Sequence, residues 1–136
     1  MANKKWIYTG VFLDEASKRN LMSKFPIPDG WNAVFDHMTV IYNDGTTYVK
    51  HVKSIIDKMI GKKFKLKIVA QGISDRAYAV KVQVPVGLPT AQHMTHITLA
   101  VSPAGKPVDS NYIDNWNDIY GNMYVTGVLK HFEVDE

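Results

Sequence analysis

The stretch Thr95-His96-Ile97-Thr98-Leu99-Ala100-Val101 decides how this chain is read, because Asp36-His37-Met38-Thr39-Val40-Ile41-Tyr42 repeats its pattern in the first half. Each sets a histidine and a threonine two residues apart and then runs into apolar residues. Such a run predicts a β-strand, on which successive side chains point to opposite faces. His96 and Thr98 then share one face, with Ile97 and Leu99 on the other, and His37 and Thr39 do the same opposite Met38 and Val40. An imidazole and a hydroxyl about 7 Å apart along a strand suit a phosphate lying across it. Two such strands facing each other supply an acid, a base and two phosphate ligands.

The repetition exceeds chance. The chain has 5 histidines, and three of them (His37, His93 and His96) have threonine two residues on. Random placement of so few residues gives about 0.3 such cases. One His-x-Thr alone carries almost nothing; two in apolar strand contexts, one in each half, carry the reading. The third, His93-Met94-Thr95, leads into a polar histidine, whereas Thr98 opens an apolar run. Its odd offset from His96 also places His93 on the opposite face of a strand that extends so far back. His96 is therefore taken as the functional histidine, and His93 as a substrate contact at the cleft mouth.

A pair of imidazoles can act as base and acid near neutral pH, because their unperturbed titration falls there. His37 and His96 are the expected proton carriers, and the sequence leaves open which is which. Thr39 and Thr98 are expected to donate to non-bridging phosphate oxygens, where donors aimed in advance at developing charge help most. Each of the four has a plainer explanation when taken singly. A strand histidine can simply be hydrogen bonded, and threonine is a common strand residue.

The remaining elements follow from pattern. Lys5 to Leu13 reads as a first strand, and Asp14 caps a helix from Glu15 to Lys24 that ends before Pro26. A turn leads into the first motif strand, Ala33 to Tyr42. A second helix spans Tyr48 to Ile60, with Gly61 placed to stop it. Lys62 to Ser74 alternates Phe64, Leu66 and Ile68 against Lys63, Lys65 and Lys67, a half-buried strand with a basic outer face. Those lysines fit a phosphate-attracting rim, although a solvated face is the plainer reading. Asp75-Arg76 turns into a strand from Ala77 to Val84. After a proline-bearing loop come the second motif strand (Met94 to Val101), a short helix near Ser110 to Tyr120, and a last strand from Met123 to Val134. This order fits an α+β fold of two small lobes.

Composition narrows the class. The 136 residues suit a single domain spanning 1–136, and no apolar run approaches the roughly 20 residues of a membrane span. There is no cysteine, which excludes disulfides and thiolate metal sites and suits a cytoplasmic protein. The start, Met1-Ala2-Asn3-Lys4-Lys5, leads directly into a strand rather than a signal peptide. A net charge of +3 tilts modestly toward anionic partners. Neither a His-Glu-x-x-His motif nor a glycine-rich nucleotide loop is present, so no metal, ATP or dinucleotide cofactor is expected.

His37-Met38-Thr39 and His96-Ile97-Thr98 resemble the paired His-x-Ser/Thr signatures of the 2H phosphoesterase superfamily. Similar members include RNA-end cyclic phosphodiesterases, the phosphodiesterase domains of fungal tRNA ligases, and phage anti-CBASS nucleases, which cleave cyclic oligonucleotide signals of bacterial immunity. The placement of Tyr8-Thr9-Gly10 and Asp36-His37-Met38-Thr39 is most similar to the last two groups. The resemblance implies a two-lobed α+β fold, with antiparallel or mixed sheets around a central cleft and flanking helices. Each lobe would contribute one motif strand. It also implies a metal-independent hydrolase acting on 3′,5′-linked cyclic oligonucleotides, in a host cytoplasm for a phage protein. Opening of RNA-terminal 2′,3′-cyclic phosphates in RNA repair is the runner-up, and a non-catalytic nucleotide- or RNA-binding module is the alternative of another class. No membrane and no obligate protein partner is implied. An aromatic at Tyr8 would stack on a base, with Trp6, expected on the same face, competing for that role. Glu133 is a candidate cleft carboxylate for orienting an imidazole.

Overall fold

β1 (Lys4–Leu13) is the strand on which the two halves of the chain meet: it pairs with β3 (His37–Tyr42) on one side and β8 (Tyr124–Asp135) on the other. The structure is a computed structural model and describes residues 3–92 and 94–136. α1 (Glu15–Lys24) begins where the sequence predicts, with the Asp14 carboxylate accepting from the Ser17 amide at 2.7 Å. α2 (Thr47–Ile56) starts one residue earlier than expected because Thr46 caps it, and its last turn tightens into a 3₁₀ helix, Asp57–Met59.

β4 (Lys63–Ile73), β5 (Ala77–Gln83) and β6 (His96–Val101) follow, each antiparallel to its neighbours. The helix expected from Ser110 to Tyr120 is absent. Pro107–Tyr112 is a 3₁₀ helix instead, and Trp116–Asp118 forms a short strand, β7, against β4. Pro107 sets the φ of a first turn, but the following Asp, Ser and Asn residues compete for backbone hydrogen bonds and do not propagate it.

The expected α+β class holds, and of the antiparallel or mixed sheets expected it is the antiparallel arrangement that forms, as one continuous sheet of 8 strands. Its main path, β6-β3-β1-β8-β4-β5, closes on itself because β5 also pairs with β6. β2 (Asn32–Ala33) lengthens the sheet beside β6. Closure removes the unpaired edges that an open sheet would present. The two motif strands, β3 and β6, are neighbours in this ring. The seam between β3 and β6 is the loosest of the ring: Met38↔Ile97 joins it, whereas β1 and β8 pair from Lys4 to Leu13.

The motif strands turn their apolar side chains into the core, where Met38, Val40, Ile97 and Leu99 are fully buried together with Leu66, Ile68 and Leu129. Full burial of each aliphatic side chain contributes about 1.5–3 kcal/mol. This fixes the register, since a slip of one residue would send Met38 and Ile97 outward and the histidines inward. Among the described residues, no helix is long and apolar enough to cross a membrane.

Candidate active site

The first motif is not one uninterrupted strand. The chain from Asn32 runs beside β6, and the amides of Val34 and Phe35 donate to the carbonyls of Leu99 and Thr98. Phe35 then takes φ +44° while staying buried, and pairing resumes at Met38↔Ile97. Asp36 and His37 are thus extruded between two consecutive residues of β6, a β-bulge. The bulge breaks strict alternation and turns Asp36 toward its neighbour. Its carboxylate accepts a hydrogen bond from His37 Nδ1 at 2.9 Å.

The other side of the His37 ring rests on β1. Tyr8, Gly10 and Phe12 alternate along one face of that strand, and Gly10 puts no side chain between the outer two. The imidazole lies over Gly10, stacked at 4.8 Å on Tyr8 and 5.1 Å on Phe12, whose own rings are 6.1 Å apart. Its Nε2 lies 3.2 Å from the Thr39 hydroxyl. With Asp36 accepting at Nδ1, the nitrogen of His37 on the Thr39 side is Nε2.

His96 opens β6, and its Nδ1 is 3.3 Å from the Met94 carbonyl, which leaves Nε2 as the basic nitrogen of the neutral ring. Burial penalises the charged imidazole and holds its pKa below the usual value. The Met94 contact partly opposes this, and the nearby charge of His37 adds to it. Thr98 lies almost buried, with its hydroxyl 2.9 Å from that of Ser110, a fully buried residue of the 3₁₀ turn.

His37, Thr39, His96 and Thr98 all line one cavity of about 530 Å³. Tyr8 lines it too, and its hydroxyl stays protonated: burial, then the charge of Asp36, push its pKa up to about 12. The Tyr8 ring, however, stacks on His37 and on Phe132 at 5.0 Å. Its aromatic surface is thereby engaged within the protein. Tyr42, paired with Tyr8 across the strands and 55% exposed at the same cavity, is the aromatic left open to solvent.

Two other expected contacts stand away from the cavity. A register shift between Trp6 and Tyr8 puts Trp6 on the opposite face of β1, where its indole N–H donates to Thr9 at 2.9 Å. Glu133, exposed on β8 beside Trp6, orients neither histidine that has a carboxylate partner: those are His37 with Asp36 and His131 with Asp57. His93 lies outside the described residues. The β4 lysines do not line this cavity, and Lys65 sits 4.3 Å over the Tyr124 ring.

Sequence reasoning gave no role to Asp36, Tyr42 and Ser110, nor to Gln92 and Asn111, which also line the cavity. Asp36 stood inside the quoted motif, but adjacent residues on a regular strand point apart and no pattern announced the bulge. Tyr42 ended the same stretch, where regular alternation sets it opposite His37 and Thr39, and the register shift beside Thr9 and Gly10 breaks that alternation; Ser110, Gln92 and Asn111 reach the site only through folding. Among the described residues, no group of three or more His, Asp or Glu side chains is placed to hold a metal ion.

No family model matches the chain, and no curated protein matches it. Among solved structures it is similar to the crystal structure of a fungal RNA kinase, with TM-score 0.62 and 14% identity over 99% of this chain and 45% of that one. The likeness is one of fold, and this chain spans less than half of that protein's length.

Proposed function

We propose that the chain is a phosphodiesterase of the 2H type acting on 3′,5′-linked cyclic oligonucleotides, in the manner its motifs share with phage anti-CBASS nucleases. The observation that carries this reading is that both His-x-Thr couples line a single cavity. The asymmetry between the imidazoles supports a division of labour. His96, kept neutral by burial, is the base that takes the proton from the attacking hydroxyl, whether a ribose 2′-hydroxyl or water. The attacking oxygen forms its bond to phosphorus as the bond to the leaving ribose oxygen breaks, and His37 delivers a proton to that oxygen from Nε2. Asp36 balances the charge of the imidazolium from Nδ1. Thr39 and Thr98 hold the non-bridging oxygens as negative charge grows on them, and the Tyr8 hydroxyl adds a donor. Two imidazoles and these donors supply both proton transfers and charge stabilisation from the chain's own residues.

Opening of RNA-terminal 2′,3′-cyclic phosphates uses the same four groups, and the fold shared with a fungal RNA kinase favours it as the second reading. A module that binds nucleotides or RNA without turnover is the third. Incubating the protein in EDTA with a cyclic dinucleotide and, separately, a nucleoside 2′,3′-cyclic phosphate tells them apart. Turnover of the first supports the proposal, and turnover of the second alone supports RNA-end repair. Binding of ligand recovered intact supports the module. His37→Ala and His96→Ala are each expected to lower kcat by about 10²–10⁴-fold. Full activity in both variants would refute the assignment.

A further inference from the structure

A second cavity, of about 710 Å³, adjoins the first, and Gln92 and Asn111 line both. Its cation is Lys81. In the β5–β6 ladder Lys81 stands directly opposite His96, so the two side chains rise from the same face of the sheet. The strand order β5-β6-β3 puts Lys81 on the side of His96 away from His37 and Thr39. Among the described residues Lys81 forms no ion pair; its ammonium lies 4.9 Å from the centroid of the Trp116 ring. A cation without a carboxylate partner, rising from a strand position one spacing (about 5 Å between backbones) from that of an imidazole, is placed for an anion beyond the one that imidazole serves. The amides of Gln92 and Asn111, each both donor and acceptor, face the path between the two cavities.

We propose that the second cavity receives the nucleotide next to the scissile phosphate, with Lys81 on that nucleotide's own phosphate and Gln92 and Asn111 along the connecting ribose. The substrate then contains at least two nucleotides, and Lys81 is a specificity-determining residue. This rests on the proposed phosphodiesterase reading, and the test separates the two.

The decisive comparison is kcat/KM for 3′,5′-cyclic diadenylate and for adenosine 2′,3′-cyclic phosphate, measured in the unaltered protein, Lys81→Ala and Lys81→Arg. Lys81→Ala is expected to lower the ratio of the dinucleotide value to the mononucleotide value by at least about tenfold, through KM, as loss of a charge-assisted contact does. Lys81→Arg is expected to restore most of it. An unchanged ratio overturns the proposal, as does turnover of the mononucleotide alone by the unaltered protein. Where the dinucleotide alone is turned over, its KM is the readout, with the same tenfold threshold. Should neither be turned over, the phosphodiesterase reading fails, and calorimetric titration with cyclic diadenylate still decides the subsite. Affinity reduced at least about tenfold by Lys81→Ala upholds it, and undiminished affinity or no binding to the unaltered protein overturns it. Thermal unfolding of both variants controls for folding.

Discussion

His37 lies against the bare backbone of Gly10: a Cβ there would come within 3.2 Å of the imidazole Cδ2 and 2.8 Å of the Met38 carbonyl oxygen. The missing side chain is what lets the ring settle over the strand against both Tyr8 and Phe12. Gly10→Ala is therefore expected to push His37 off its seat. Overpacking of this kind destabilises by about 1–3 kcal/mol. Activity is expected to fall by a larger factor than the stability change accounts for, because small misplacements of a proton donor are heavily felt. Thermal unfolding and kcat measured on the same preparation check both. A variant with unaltered kcat would show that the ring's seat is irrelevant to function.

The pH profile should reflect the burial of His96. A base acts when unprotonated, and burial holds the pKa of this imidazole below its usual value. Activity is thus expected to persist to lower pH than an ordinary histidine base allows, with the acidic limb of kcat/KM falling below about 6.5. Asp36→Asn should lower kcat by about tenfold or more, since an amide neither balances an imidazolium nor fixes its tautomer as a carboxylate does. The acidic limb is expected to remain in that variant. A limb at or above the ordinary imidazole range would contradict the assignment of His96 as base.

Ser110 stands behind Thr98 at 2.9 Å, and either hydroxyl of the pair can donate; with Ser110 donating, the threonine's own proton is free for phosphate. Ser110→Ala removes that hydroxyl and leaves the Pro107 carbonyl, to which the Thr98 hydroxyl already donates at 3.5 Å, as its remaining protein partner. The expected result is a several-fold drop in kcat with little change in KM, on the order of one hydrogen bond, about 1 kcal/mol. In a Thr98→Val background the same substitution should have almost no further effect on kcat. Additive losses in the double variant would argue against the relay.

On the opposite face of β1, Trp6, Thr9, His131 and Asp57 form a chain of hydrogen bonds. The Thr9 hydroxyl is 2.6 Å from His131 Nδ1, and Nε2 is 2.7 Å from the Asp57 carboxylate. Thr9 is fully buried, so this resembles a catalytic triad in connectivity only; it pins the end of α2 to the sheet. His131→Ala is expected to destabilise the protein by about 1–3 kcal/mol while leaving turnover intact below the unfolding transition. Partial burial pushes the Asp57 carboxyl up, but hydrogen bonds from Lys53 and His131 outweigh this and hold its pKa below the usual value. Its contribution is accordingly present above the ordinary carboxylate pKa and fades as pH falls through the depressed one. The stability gap between the unaltered protein and the variant should therefore narrow in acid. Denaturant unfolding at neutral and acidic pH measures it, and a gap that widened in acid would rule out a stabilising Asp57 carboxylate.

Much of this was already written in the order of residues. The alternation of His37, Thr39, His96 and Thr98 with buried apolar neighbours needs nothing beyond the two-residue period of a strand. The cap at Asp14 and the span of α1 needed only local chemistry. The bulge at Asp36, the aromatic seat above Gly10, the Ser110 contact and the facing of Lys81 to His96 had no local signature. Each depends on which strands become neighbours and in what register, and those are settled by burying Met38, Ile97 and the rest of the core together. A strand's period says which side chains share a face, whereas closure of the sheet into a ring decides which faces meet, because pairing partners distant along the chain are selected by the burial and edge-pairing free energy of the whole.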